Sequence, residues 1–244
     1  MMNIFSGVYK SFEDAPSFGS GFSGDKWLES SKAKLERLIS GKEEPLIYKN
    51  LLPFLAVLVH SKKKLIILDF GGGIGITYLA VSKSLPSKPF EYHIVENERI
   101  CEEGGKIFKR DKRVIFHSQL PKLGRVDIVH IGSSLQYIGD WKKKLEELVA
   151  YKPRYFLFDD LHAGEIPTFV TLQNYYKSKI PCWFFNTKEV VSTMKKLNFD
   201  LIFKAKQRIS YFGVIRKIPM ENLPKKYRIG DTMCLLFRAN AQSK

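Results

Sequence analysis

Leu65-Ile66-Ile67-Leu68-Asp69-Phe70, followed by Gly71-Gly72-Gly73-Ile74-Gly75, is the stretch that decides the fold. A short continuous apolar run of this kind suits a strand of a parallel sheet, buried on both faces. Glycines at alternate positions 71, 73 and 75 then permit positive φ and a close approach of backbone to a ligand. A helical pattern from Ile74 to Leu85 follows at once, so its free N–H groups face whatever the loop holds. Two well-known phosphate loops fail here. The spacing G-x-G-x-x-G needs glycine at 76 or 78, where the chain has Ile76 and Tyr78, and a P-loop needs Lys after Gly75, where it has Ile76-Thr77.

Downstream, the same strand-then-helix rhythm repeats. Strands are expected at 91–96 (EYHIVE), 113–118, 126–132 and 154–160, with helices at about 97–109 and 140–151 between them. Alternation of this kind implies right-handed crossovers and a five-stranded parallel core. A Pro-containing loop, a helix over 187–197 and strands at 199–206 and 232–239 complete the pattern, with a strand-like piece in 209–217 left unplaced. Upstream, residues 1–25 are rich in Gly, Ser and aromatics, and Tyr9, Phe12, Phe18 and Phe22, with Trp27 just beyond, read either as a lid over the site or as a structural arm filling an apolar groove. Helices over 26–40 and about 47–60 follow. The expected organisation is an N-terminal lid and helical cap over 1–60 and a ligand-binding domain over 61–244. The fold class is α/β, a doubly wound, mostly parallel seven-stranded sheet.

Asp69, Gly71, Gly73 and Gly75 together resemble motif I, acidic-x-G-x-G-x-G, of the class I S-adenosylmethionine-dependent methyltransferases. Glu96 stands at the tip of the second strand, where a carboxylate can accept hydrogen bonds from ribose hydroxyls. The resemblance implies that Gly71, Gly72, Gly73 and Gly75 hold the methionine portion of S-adenosylmethionine, that Asp69 helps position its amino group, and that Glu96 grips its ribose. It further implies an adenine edge at Ser118 and Gln119, without the carboxylate often found there, and a sulfonium edge at Ser133. In element order it runs from Lys64 to the C-terminus, including a late antiparallel strand pair. A looser likeness, carried by GVYKSFEDAP, SSLQYIGDW and LQNYYKSKIPCWFFN, is to methyltransferase-like proteins found in bacteria among surface-polysaccharide genes.

Methyl transfer from a sulfonium is an in-line displacement governed by positioning, and a hydroxyl acceptor benefits from a general base. Ligands of open α/β sheets sit beyond the C-terminal strand ends, which brings His130, Tyr137, Asp159, Asp160 and His162 into range. His162 is the expected base, with Asp159 or Asp160 as its orienter or as the base itself. His130 reads as a strand residue with a satisfied ring, and Tyr137 and Trp141 either face a sugar or fill the core. No Asn/Asp-Pro-Pro-Tyr-like segment follows the fourth strand, which argues against methylation of DNA bases.

Composition bounds the partners. A formal net charge of +15 over 244 residues favours an anionic substrate, with RNA and an anionic membrane face as further candidates. The longest apolar run, Leu51 to Val59, contains Pro53 and falls short of the ~20 residues a span needs. The N-terminus has no basic segment leading into an apolar one, so a cytoplasmic location is expected. Cys101, Cys182 and Cys234 are far apart with no C-x-x-C pair, so neither a disulfide framework nor a bound metal is expected. The leading function is O-methylation of a sugar of a surface glycan or its precursor. The alternatives are an RNA methyltransferase and a non-catalytic nucleoside-binding module.

Overall fold

A computed structural model describes residues 3–19, 21–44, 51–61, 63–175, 177–208, 210–211 and 214–240. In chain order the strands are β1 (Phe5–Tyr9), β2 (Leu65–Phe70), β3 (Phe90–Val95), β4 (Val114–His117), β5 (Ile128–Gly132), β6 (Tyr155–Leu161) and β7 (Ala163–Gly164). They continue as β8 (Phe169–Tyr175), β9 (Ser178–Asn186), β10 (Phe199–Gln207), β11 (Ser210–Tyr211), β12 (Val214–Ile215) and β13 (Thr232–Ala239). The helices are α1 (Asp25–Ile39), α2 (Leu52–Val59), α3 (Ile76–Ser84), α4 (Glu98–Ile107), α5 (Trp141–Val149) and α6 (Thr187–Lys196). The expected helix near 47–60 is α2, and residues 45–50 of that reading lie outside the described residues. So do residues 209, 212 and 213 of the unplaced strand-like piece, whose remainder includes the short β11–β12 pair.

The main sheet is seven-stranded, in the order β10-β13-β6-β5-β2-β3-β4. Strands β2 to β6 pair in parallel and β10 pairs antiparallel with β13, as the doubly wound reading expects. Leu65, Ile67 and Leu68 of β2, and Ile128, Val129 and Ile131 of β5, are buried, because helices cover both faces of a parallel sheet.

By contact the chain divides into two compact units, one of residues 22–132 and 150–159, the other of 1–21, 133–149 and 160–244. In the first unit α1 buries Leu28 and Leu35 in a cluster with Ile74 and Ile100, while Asn97 caps α4 by accepting from the Ile100 N–H at 3.1 Å.

In the second unit the expected lid is a strand. β1 pairs antiparallel with β8, in a sheet ordered β1-β8-β9-β7. Thr171 Oγ1 donates to the carbonyls of Ser6 and Gly7 at 3.1 and 2.8 Å, and Phe12 stacks on Trp183 with ring centroids 5.6 Å apart.

The segment expected to be a Pro-containing loop is the β8–β9 hairpin. Proline removes a ladder donor and is confined to strand positions whose N–H points to an open side. Lys179 of β9 exchanges both of its backbone bonds with Phe18. Alternate residues send their backbone groups to the same side, so Pro181, two residues on, also turns away from β8 and costs no β8 bond.

Candidate functional site

Because β2 and β3 run parallel with Phe70 opposite Val95, the chain leaves both strands at the same end. Gly71 N–H donates to the Val95 carbonyl at 2.9 Å, which ties the start of the glycine loop to the tip of β3. Glu96 therefore lies against the loop: its Oε1 accepts from Gly73 N–H at 3.3 Å, and its Oε2 accepts from Asn97 N–H at 2.9 Å. Burial pushes the Glu96 carboxyl above the usual range, opposed by the N–H groups of Asn97 and Gly73.

Gly71, Gly73 and Gly75 all have positive φ. At Gly75, ahead of α3, φ is +94° and a Cβ would lie 2.8 Å from Cε2 of Phe108, so both conformation and packing demand glycine. At Gly73 φ is +59°, but a Cβ would meet nothing nearer than Cη2 of Trp27, at 3.9 Å. The Trp27 indole thus lies beside the loop, at ordinary van der Waals distance from where a Gly73 side chain would begin. Sequence reasoning grouped Trp27 with the lid aromatics; only the packing of α1 beside Ile74 brings it to the glycines.

Asp69 lies directly against the loop, its Oδ2 2.5 Å from where a Gly72 side chain would begin. It is 1% exposed and its carboxylate is turned inward, accepting from Tyr92 OH at 2.6 Å and from His130 Nδ1 at 2.7 Å. The other His130 nitrogen, Nε2, reaches Asp159 Oδ2 at 3.3 Å. Burial opposes charge on this imidazole, but Asp69 and Asp159 together outweigh it and raise its pKa to about 10. Asp69, Tyr92, His130 and Asp159 form one buried polar chain beneath the loop, and Oδ1 of Asp159 is buried without a partner among the described residues. His130 is the satisfied strand residue expected, but its bridging of two acids was not legible.

Ser118 and Gln119 follow β4 and are exposed. In the second unit, Ser133 and Asp160 each follow one member of the register pair Gly132–Asp159, and both have positive φ, +54° and +53°. Non-glycine residues adopt that region at a cost of about 1–2 kcal/mol, and such strain clusters at functional positions. Fully buried Gln136, which the sequence reading passed over, joins them: its Nε2 lies 3.4 Å from Ser133 Oγ and 3.3 Å from the Asp160 carbonyl. Its Oε1 is buried without a partner among the described residues. Asp160 is partly exposed.

Among the described residues, His162 is held by partners other than the expected Asp159 or Asp160. The His162 ring is 3% exposed, stacks on Phe184 at 4.6 Å and meets Phe5 edge-on at 5.7 Å, and its Nδ1 contacts Cys182 Sγ at 3.2 Å. Burial drives its pKa down to about 3, so the ring is neutral but enclosed. Asp159 is held by His130 instead. Tyr137 donates to Gln173 Oε1 at 2.6 Å, and Trp141 is buried against Phe185.

A scan against models of known protein families gives no match, and neither does a search of curated proteins. Solved structures do match. The 1,6-didemethyltoxoflavin-N1-methyltransferase of Burkholderia thailandensis, with bound 1,6-didemethyltoxoflavin and S-adenosylhomocysteine, superposes with TM-score 0.56 at 12% identity, over 96% of this chain and 100% of that one. An S-adenosylmethionine-dependent methyltransferase of Clostridium acetobutylicum gives 0.54 at 12%, over 87% and 99%. The magnesium protoporphyrin IX methyltransferase of Synechocystis, with bound S-adenosylmethionine, gives 0.53 at 9%, over 91% and 87%. The chain therefore has the fold of the S-adenosylmethionine-dependent methyltransferases. Among the described residues no helix is long and apolar enough to cross a membrane.

Proposed function

We propose that this chain is an S-adenosylmethionine-dependent methyltransferase that methylates a hydroxyl on a sugar of a surface glycan or its nucleotide- or lipid-linked precursor. The observation that carries the cofactor half is the meeting of Gly73 and Glu96 at two parallel strand tips, with Trp27 alongside. The fit to the cofactor is chemical. Glu96 Oε1, which accepts from Gly73 N–H, retains lone-pair capacity for a ribose hydroxyl, while Oε2 already accepts from Asn97 N–H and Nδ2–H. The positive-φ glycines let a ligand approach the loop backbone closely. Ser118 and Gln119 border the adenine, and Ser133 the sulfonium side.

When bound, the cofactor supplies an electrophilic methyl group. Gly71, Gly72, Gly73 and Gly75 orient the cofactor, Glu96 fixes its ribose, and Trp27 shields the loop from water. Asp69, turned towards Tyr92 and His130, supports the loop from below and makes no direct contact with the cofactor. Asp160, strained and partly exposed, takes the acceptor proton; Asp159 positions the strand end through His130, and enclosed His162 transfers no proton. The sugar acceptor is supported by the likeness to proteins of surface-polysaccharide gene clusters and by the charge of +15, which favours anionic precursors.

The same charge favours RNA as a second reading. Incubating the protein with methyl-labelled S-adenosylmethionine and cell extract separates the readings. Label in polysaccharide or its precursors supports the proposal, label in RNA replaces the acceptor, and label in neither leaves a non-catalytic nucleoside-binding module.

A further inference from the structure

In the unit of residues 1–21, 133–149 and 160–244, α6, β10 and the start of β13 line a half-open cavity of about 990 Å3. No residue of the glycine loop, nor Glu96, lines it. Its walls include Val191, Leu201, Ile229 and Met233, so part of its surface is apolar. Five lysines line it as well: Lys188, Lys195, Lys204, Lys206 and Lys217.

These cations come from three places in the chain. Lys188 and Lys195 lie two helical turns apart on one face of α6, Lys204 and Lys206 lie on one face of β10, and Lys217 follows β12. They are therefore not one solvated helix face. The two acids that line the cavity do not balance them: Asp231 is engaged by Arg208, at 2.7 Å through Nε and 3.4 Å through Nη2, leaving Glu165. Arg228 also lines the cavity, its guanidinium donating to the carbonyls of Leu223 and Glu221 at 2.6 and 2.5 Å. Converging like charges repel, and low-dielectric concave walls focus their field on an anion. The volume is at the upper end of the roughly 300–1,000 Å3 typical of small-molecule sites, which pair apolar walls with a few polar anchors.

We propose that this cavity is a second ligand site, one that takes a small molecule with two linked phosphates attached to an apolar or flat body. One phosphate, at about −2, leaves most of the lysines unneutralised, whereas two linked phosphates match them more closely. The body lies on the Val191, Leu201 and Met233 surface. Nucleoside diphosphates and prenyl diphosphates share this chemistry.

Calorimetric titration of the full chain in about 150 mM salt with inorganic pyrophosphate, uridine diphosphate and geranyl diphosphate tests the site without any methyl transfer, so its failure is distinct from failure of the methyltransferase reading. All three bind, and whichever organic diphosphate exceeds pyrophosphate in affinity identifies the body. The double variant Lys204→Ala/Lys206→Ala, at exposed β10 positions, lowers affinity about tenfold or more, whereas the equal charge loss in Lys112→Ala/Lys122→Ala changes it less than about twofold. Circular dichroism of both variants matches the parent. The proposal is overturned if none of the three binds at millimolar concentration, if the control pair loses as much affinity as the cavity pair, or if a single-stranded RNA oligomer binds while the diphosphates do not.

Discussion

Replacing His130 by alanine removes the ring that joins Asp69 and Asp159 and leaves two buried acids, Asp69 with Tyr92 as partner and Asp159 without its ring contact. Breaking a buried ion pair by deleting one member costs about 3–5 kcal/mol. Domains of this size lose about 2–4 °C of Tm per kcal/mol, so a fall of roughly 6–20 °C is expected at pH 7. The pH dependence distinguishes a charged bridge from simple packing. His130 is raised in the folded state to about 10, from an ordinary value near 6.5, so its charge contributes fully below about pH 6.5. That contribution fades as pH climbs towards 10, and the gap between parent and His130→Ala narrows with it. Urea unfolding of both proteins at pH 7 and pH 10.5 measures the gap directly, since titrations common to both cancel. A cost below about 1 kcal/mol at pH 7, or a gap unchanged between the two pH values, refutes the bridge.

Gly75→Ala must hold φ near +94° and also press on Phe108, so urea unfolding should show a loss of about 2–4 kcal/mol. Gly73→Ala meets no such wall and should cost about 1 kcal/mol of stability while weakening nucleoside binding, seen as separate unfolding and titration readouts. Asp160→Asn should lower kcat by roughly 10²–10⁴ with little change in the KM for S-adenosylmethionine, once an acceptor is in hand. Leu35→Ala, at a fully buried α1 position, should cost about 2–5 kcal/mol by thermal or urea unfolding.

Local patterns carried most of the fold. Continuous apolar runs at 65–70 and 128–132 and the glycines between β2 and α3 are signals contained within one or two turns of chain, and the structure places the corresponding elements within a few residues of the expected bounds. The β8–β9 hairpin escaped because Pro181 lowers any strand reading, and its harmlessness depends on which side of β9 is open. β1 escaped because strand pairing across the chain, here with β8, leaves no local trace in a Gly- and Ser-rich segment.

The candidate site divides the same way. Gly73 and Glu96 were legible because parallel neighbours end together. The inward turn of Asp69 was not, since it is set by Tyr92 and His130 on the two flanking strands. Nor was the enclosure of His162, which depends on Phe5 and Phe184 reaching it from β1 and β9.

Titration calorimetry with S-adenosylhomocysteine, on the parent chain and on Glu96→Ala, probes the proposed cofactor site itself. One-site binding by the parent is expected. The loss of charge-assisted bonds worth about 1.5–3 kcal/mol should weaken the variant about tenfold to a hundredfold. No heat from the parent, or equal affinities in the two proteins, would contradict the role given to the glycine loop and Glu96.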